Sequence, residues 1–205
     1  MVIDLHYLPS IPFLSLALKS KTCLLESQEN YQKRSFRNRA YIAAANGKER
    51  LTIPLAKGKN EQMPIREVQI SYDQDWQKQH WGAITAAYSK APFFEFYAPE
   101  LQVFYQRREN WLFDWNYAIL EFFTSVWTLE VNWELTGSYK KQYPEEIMDL
   151  RGRLLPKKSP TIFQAYADKI HYTQVFQEKH GFIPNLSSLD LLFCTGPEGI
   201  LHLSK

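Results

Sequence analysis

The dipeptide Asn46-Gly47 stands between two runs rich in apolar residues, Ala40 to Ala45 and Glu49 to Ala56, and no other local feature limits this 205-residue chain so tightly. Asn and Gly tolerate the positive φ values of a type I′ turn, which joins adjacent antiparallel strands, so the spacing predicts a β-hairpin. In the second arm Leu51, Ile53 and Leu55 alternate with Thr52 and Pro54, which buries one face. Pro54 has no N–H to donate, and that sets the arm along an edge. Lys57 to Pro64 reads as a polar loop, and Ile65 to Ser71 alternates again as a further strand.

Val2 to Tyr7 predicts a strand, Phe13 to Lys19 a short apolar helix and Thr22 to Leu25 a second buried strand, the order of a parallel βα unit. From Asp75 the period becomes helical: Trp76, His80, Ile84 and Tyr88 recur every fourth residue until Pro92. Glu109 to Val131 carries the longest helical stripe, through Leu112, Trp115, Ile119, Phe122, Val126 and Leu129. Gly137 to Pro160, rich in Gly, Pro, Lys and Arg, reads as irregular. Beyond it Ser187 to Asp190 matches a capping box, and Ile200 to Leu203 a terminal strand. The fold class expected is therefore α/β or α+β. It has a mixed sheet, an N-terminal strand-helix-strand unit, a β-hairpin, a long central helix and a helical C-terminal extension. The divisions expected are a core over 1–136, an irregular connection over 137–160 and an extension over 161–205 that packs on the core as one compact unit.

Composition excludes several classes of function. Aromatic residues make up 15% of the chain and Gly only 8 positions, which argues against disorder. Lys and Arg number 24 against 22 Asp and Glu, and the resulting charge of +2 argues against affinity built on nucleic-acid phosphates. Cys23 and Cys194 lack metal-ligand spacing and read as buried free thiols. His171 and His180 stand nine residues apart with no third ligand near, so neither a metal nor a cofactor is expected. The early apolar stretch has no basic start and is broken by Pro9 and Pro12, and Phe122 to Leu129 falls far short of the roughly 20 residues that span a bilayer. A cytoplasmic protein without a membrane span is the expectation. Neither a nucleophile elbow, a P-loop nor a dinucleotide fingerprint occurs.

The densest chemical segment runs from Glu29 to Arg39. If it is extended, Lys33, Ser35, Arg37 and Arg39 share a face and form a platform for a phosphate or carboxylate; the other reading is a solvated face ion-paired with Glu26 and Glu29. His80, between aromatic neighbours on a helix, suits either proton transfer or core packing. His6, at the end of the first strand, suits a cleft residue or strand-end packing. The aromatic runs Phe93 to Tyr97 and Trp111 to Trp115 suit ring stacking or, more commonly, core.

Several of these residues occur in an order that resembles a known family. They are His6-Tyr7-Leu8-Pro9, Glu29 to Lys33 running into Phe36 to Arg39, Asn46-Gly47 leading to Ile53-Pro54-Leu55, Trp76 to Trp81 and Ala87 to Tyr97. Together they look like the WbqC-like proteins of bacteria, and the closing Gln174 to Phe193 resembles the longer form found in Bacteroidetes. The family takes its name from a gene of O-antigen clusters. The resemblance implies a transferase of surface-polysaccharide synthesis, moving an acyl or aminoacyl group to a nucleotide-linked sugar. In that scheme Lys33, Arg37 and Arg39 hold the diphosphate, His80 or His6 takes a proton, and Tyr31, Asn38 or Tyr88 steadies the oxyanion. The alternative is a non-enzymatic anion- or small-ligand-binding scaffold of a polysaccharide assembly. Similar members often carry a Gln-Pro pair at the first strand end and an acidic pair before the Tyr-x-Lys motif; here the first position is His6 and the acidic positions are Glu26 and Glu29.

Overall fold

A computed structural model describes residues 1–56, 63–155 and 161–205. Strand β1 (Val2–Asp4) leads through helix α1 (Ile11–Ser20) to strand β2 (Thr22–Glu26), and β1 and β2 pair in parallel with Val2 opposite Leu24. The βα unit forms as its sequence predicts, although β1 stops at Asp4 rather than Tyr7. Pro12 falls in the first turn of α1, where its missing N–H has no helical partner to lose, so the helix starts before Phe13.

A strand that the sequence did not announce, β5 (Asn132–Leu135), pairs in parallel with the other side of β2, giving the order β1-β2-β5. Beyond β1 the chain returns at Asp149, which bridges Val2 in parallel. Residues 137–155 otherwise hold no helix or strand.

The hairpin pairs β3 (Arg39–Ala44) with β4 (Gly47–Thr52). Its turn differs from expectation. Ala44 pairs with Gly47, so Ala45 and Asn46 occupy the turn, and only Gly47 takes a positive φ, at +99°. That is the pattern of a turn closed by a glycine bulge rather than a type I′ pair. Ile65 to Ser71 is not a strand: Ile65–Glu67 forms a 3-10 turn, and only Gln69 and Ile70 make single bridges, to Trp111 and Leu55. Most of the predicted polar loop, 57–62, and residues 156–160 of the predicted irregular connection lie outside the described residues.

Helix α2 (Trp76–Tyr88) buries Trp76, His80, Ile84 and Tyr88 as its period requires. Helix α3 (Phe94–Gln106) then buries Phe94, Tyr97, Ala98, Leu101 and Tyr105 in spite of Pro99, while Phe96 stays 72% exposed. Helix α4 (Leu112–Val126) is shorter than its apolar stripe, because Thr128 turns to φ +48° and Leu129 packs after the helix has ended. The aromatic run 111–115 is core: Leu112, Phe113 and Trp115 are buried.

The C-terminal region is helical, with α5 (Thr161–Lys169), α6 (Gln177–His180), α7 (Ser188–Thr195) and α8 (Gly199–Leu203). The terminal strand expected over Ile200 to Leu203 is thus a helix, and Ser15 of α1 donates to the Leu203 carbonyl at 2.7 Å. Ser187 caps α7 by accepting from the Leu189 N–H at 3.2 Å, but Asp190 does not complete the box and turns inward. Cys23 is buried and Cys194 half-buried, both as free thiols. No helix among the described residues is long and apolar enough to cross a membrane.

Candidate functional site

The carboxyl ends of the three parallel strands deliver acids to one place. Asp4 ends β1, Glu26 ends β2, and Thr136 follows β5; in open sheets with parallel strands, ligand sites form at this end. The Glu29 to Arg39 segment folds over it. It is not extended: residues 33–38 form successive turns, Arg34 has φ +60°, and the Ser35 hydroxyl donates to the Gln32 carbonyl at 2.6 Å. The common cationic face therefore does not form. Lys33 is exposed, Arg39 begins β3 half-buried, and Arg37 is only 1% exposed.

Arg37 points inward. Its Nε and Nη2 donate to the two oxygens of Glu29 at 2.6 and 2.5 Å, and Nη1 lies 3.1 Å from Asp4. Helix α4 fixes its backbone, since Asn116 donates to the Arg37 carbonyl at 2.7 Å. Asp4 also contacts His6 Nε2 at 3.2 Å and accepts from the Gly152 N–H at 2.8 Å. Gly152 adopts φ +61°, and a Cβ there would stand 3.0 Å from the Gln32 side-chain oxygen, so the approach of this N–H to Asp4 suits glycine.

A second guanidinium completes the cluster. Arg151 grips Asp149 with Nε and Nη2, at 3.0 and 2.7 Å, and donates through Nη1 to Glu26 at 2.7 Å. The other Glu26 oxygen accepts from Thr136 at 2.7 Å and from the Gln28 N–H at 2.9 Å. Asp4, Glu26, Glu29 and Asp149 thus face Arg37 and Arg151, and carboxylates outnumber guanidinium groups.

Burial opposes ionisation of Asp4, yet the Arg37 charge and the bonds from His6 and Gly152 outweigh it and hold the carboxyl well below its usual range. Glu29 goes the other way. Burial, with the Asp4 and Glu26 charges, outweighs Arg37 and pushes Glu29 up to about 7. Glu29 and Arg37 form the floor of a cleft of about 450 Å³, walled by Gln28, Asn30, Gln32, Tyr139, Arg151 and Gly152.

The other expected residues lie elsewhere. His80 Nε2 accepts from the Thr52 N–H at 3.2 Å and Nδ1 meets the Tyr7 hydroxyl at 2.9 Å, which in turn meets Tyr105 at 2.9 Å. Burial lowers His80 to about 4, so it is a neutral member of a buried chain of hydrogen bonds. His6 joins Arg37 through Asp4 and packs against Phe36 and Phe13, ring centres 5.1 and 4.9 Å away; the two histidines share no partner. Tyr31 donates to Asn38 at 2.9 Å, and Asn38 donates to the Ile53 carbonyl at 2.9 Å. Tyr88 donates to Asp190 at 2.8 Å, in a separate buried cluster with Tyr172 and Gln174. Sequence reasoning takes Glu26 and Glu29 only as ion-pair partners or an acidic pair, and it missed Asp4, Asp149, Arg151 and Tyr139 altogether. Only the placement of Asp4 at a strand end, the argument applied to His6, could have flagged one of them.

This is an α/β protein with a polar cleft at the carboxyl end of a small parallel sheet, lined by Glu29, Arg37 and Arg151 and backed by the buried Asp4 and Glu26. The chain belongs to the WbqC-like protein family, whose model matches residues 5–159 and so takes in Glu26, Glu29, Arg37, Asp149 and Arg151. It is also similar to the uncharacterized protein Rv1507c of Mycobacterium tuberculosis (strain ATCC 25618 / H37Rv). The two are 26% identical over 224 residues, which cover 96% of this chain and 94% of that protein. No solved structure matches the chain.

Proposed function

We propose that the cleft is the active site of a transferase that moves an acyl or aminoacyl group onto a nucleotide-linked amino sugar, in keeping with a role in surface-polysaccharide synthesis. Glu29 carries the reading: it lines the cleft, and its proton is held near neutral pH, where a general base works best. Arg37 engages both of its oxygens, and each oxygen keeps a second lone pair for a substrate proton.

In the step envisaged, the sugar amine attacks the acyl carbonyl, a C–N bond forms, and the bond to the leaving group breaks and takes its electron pair. The amine proton passes to Glu29. Positioned bases of this kind contribute roughly 10² to 10⁴ in rate. This assigns to Glu29 the role first expected of His80 or His6. It also moves the diphosphate out of the cleft, because Arg37 and Arg151 are already engaged by carboxylates. Lys33 and Arg34, exposed just past Gln32 at the lip, are the cations suited to meet it. A cytoplasmic location fits a nucleotide-linked substrate.

The test is a thermal-shift and turnover screen of nucleotide-linked sugars with and without an amino group, paired with acyl donors. An amino sugar nucleotide should raise the melting temperature and be acylated, and Glu29→Gln should keep the shift while losing turnover about 100-fold or more. Equal turnover by Glu29→Gln removes the base. Binding with no turnover under any donor returns the protein to the ligand-binding scaffold.

A further inference from the structure

At the mouth of the cleft Tyr139 is 56% exposed, in a segment without helix or strand, and yet its ring is fixed. The Arg151 guanidinium lies 5.0 Å from the centre of that ring and 4.8 Å from the centre of Tyr143. Arg151 cannot swing away easily, because Asp149 holds it bidentately and Glu26, fully buried, holds its remaining arm. An ion-pair network of the partly buried Arg151 and Asp149 with the buried Glu26 thus backs an aromatic ring that remains largely open to solvent. Packing alone does not call for this backing, since so much of the ring stays uncovered.

The same cleft is walled by amides. Gln28, Asn30 and Gln32 alternate along the chain and line the same cleft. Two of them are anchored. The Gln28 amide nitrogen donates to Ser27 Oγ at 3.2 Å and to the Thr136 carbonyl at 3.4 Å, while the Gln32 oxygen accepts from Arg37 at 3.4 Å. Anchored amides present a donor and an acceptor at fixed positions, as a ligand bearing several hydroxyl or amino groups requires.

We infer that Tyr139 is the stacking platform for the ring face of a hexopyranose, with Gln28, Asn30 and Gln32 reading its hydroxyl or amino substituents. The aromatic face is electron-rich and attracts the weakly positive C–H groups that line one face of a pyranose. The lining offers one carboxylate, Glu29, beside guanidinium groups already engaged by acids, which suits a neutral or amine-bearing ring. The cleft volume lies within the roughly 300–1,000 Å³ typical of small-ligand sites. A nucleobase could stack on the same ring, and uridine monophosphate is the probe that tells the two apart. The inference deepens the proposed function and rests on the same cleft, though not on the chemistry assigned to Glu29.

The experiment is saturation-transfer NMR on the full chain with two simple probes, methyl α-glucosaminide and methyl N-acetyl-α-glucosaminide, and with uridine monophosphate as the competing ring. The wild type should saturate the ring C–H protons of at least one glycoside. Tyr139→Ala should weaken that binding about tenfold while melting with the wild type, and Tyr139→Phe and Tyr139→Trp should restore it. Glycoside binding is read with no acyl donor present, so a failure of Glu29 as base leaves the platform standing. Undiminished binding by Tyr139→Ala, or no glycoside bound by the wild type, overturns the platform. So does a uridine monophosphate signal that alone depends on Tyr139.

Discussion

Two clusters of buried carboxylate are stabilised by different means. At the end of the parallel sheet Asp4 and Glu29 share the Arg37 guanidinium, with Glu26 and Arg151 alongside. In the C-terminal region Asp190, fully buried, accepts from Tyr88 at 2.8 Å, Tyr172 at 2.5 Å and Gln174 at 3.0 Å. Burial raises Asp190, and its three donors only partly offset that. Neutral donors satisfy a carboxylate without creating a field that reaches outward, so this cluster fastens α7 to α2. Several acids around fewer guanidinium groups do the opposite. They split the carboxyls into one held low and one held high, and the high one faces a cleft. Pairs of titratable groups pushed apart in this way mark sites of proton transfer more often than fasteners.

The sharpest way to break the comparison is Arg37→Met. It leaves Asp4 and Glu29 buried without their counter-charge, and chemical denaturation should show a loss of about 3–5 kcal/mol. A loss near zero would mean that the sheet-end cluster relaxes into water.

A pH series comes next. Glu29, raised from 4.5 to about 7, adds stability that is complete below pH 4.5 and lost as pH rises through 7. His80, lowered from 6.5 to about 4, adds stability that is complete above pH 6.5 and lost as pH falls through 4. The two contributions oppose each other over nearly the same window. Removing one should therefore unmask the other: relative to wild type, Glu29→Gln should gain up to about 3 kcal/mol between pH 4.5 and 7, read from urea midpoints. A difference profile flat across that window would mean that Glu29 stays ionised throughout.

Asp190→Ala is expected to cost less, about 1–3 kcal/mol, by stranding buried donors from Tyr88, Tyr172 and Gln174. It should leave glycoside binding at the cleft unchanged, and loss of binding would join the two clusters into one unit. Smallest is Gly152→Ala. The left-handed backbone there should cost about 1–2 kcal/mol by thermal melt, with a weaker hold on Asp4.

Much of the fold could be read because its signals are local. The βα unit, the hairpin and α2 each declare themselves within a dozen or so residues by period or by turn chemistry. Strand β5 does not: Asn132 to Leu135 is four residues long, and three of them are exposed at a sheet edge. Pro99 hid α3, whose buried stripe overrides the lost hydrogen bond. At the site, the cations of Lys33 to Arg39 were visible, and pairing with Glu29 was one of the readings left open. That the pair would be buried depended on Asp4 and on turns set by Arg34 and Ser35, neither of which leaves a periodic trace. Arg151 was beyond reach altogether, because it meets Glu26 across 125 positions of chain.

That separation bears on how the protein comes into being. A ribosome that has released the first hundred residues has delivered Asp4, Glu26, Glu29 and Arg37, but neither the strand that flanks β2 nor the second arginine. The nascent chain must carry an excess of buried-to-be acid with half its neutralising partners still unmade. Early intermediates should favour the local hairpin and helices, and the cleft should close as a late event of synthesis, slowed by the loop entropy of its longest contacts.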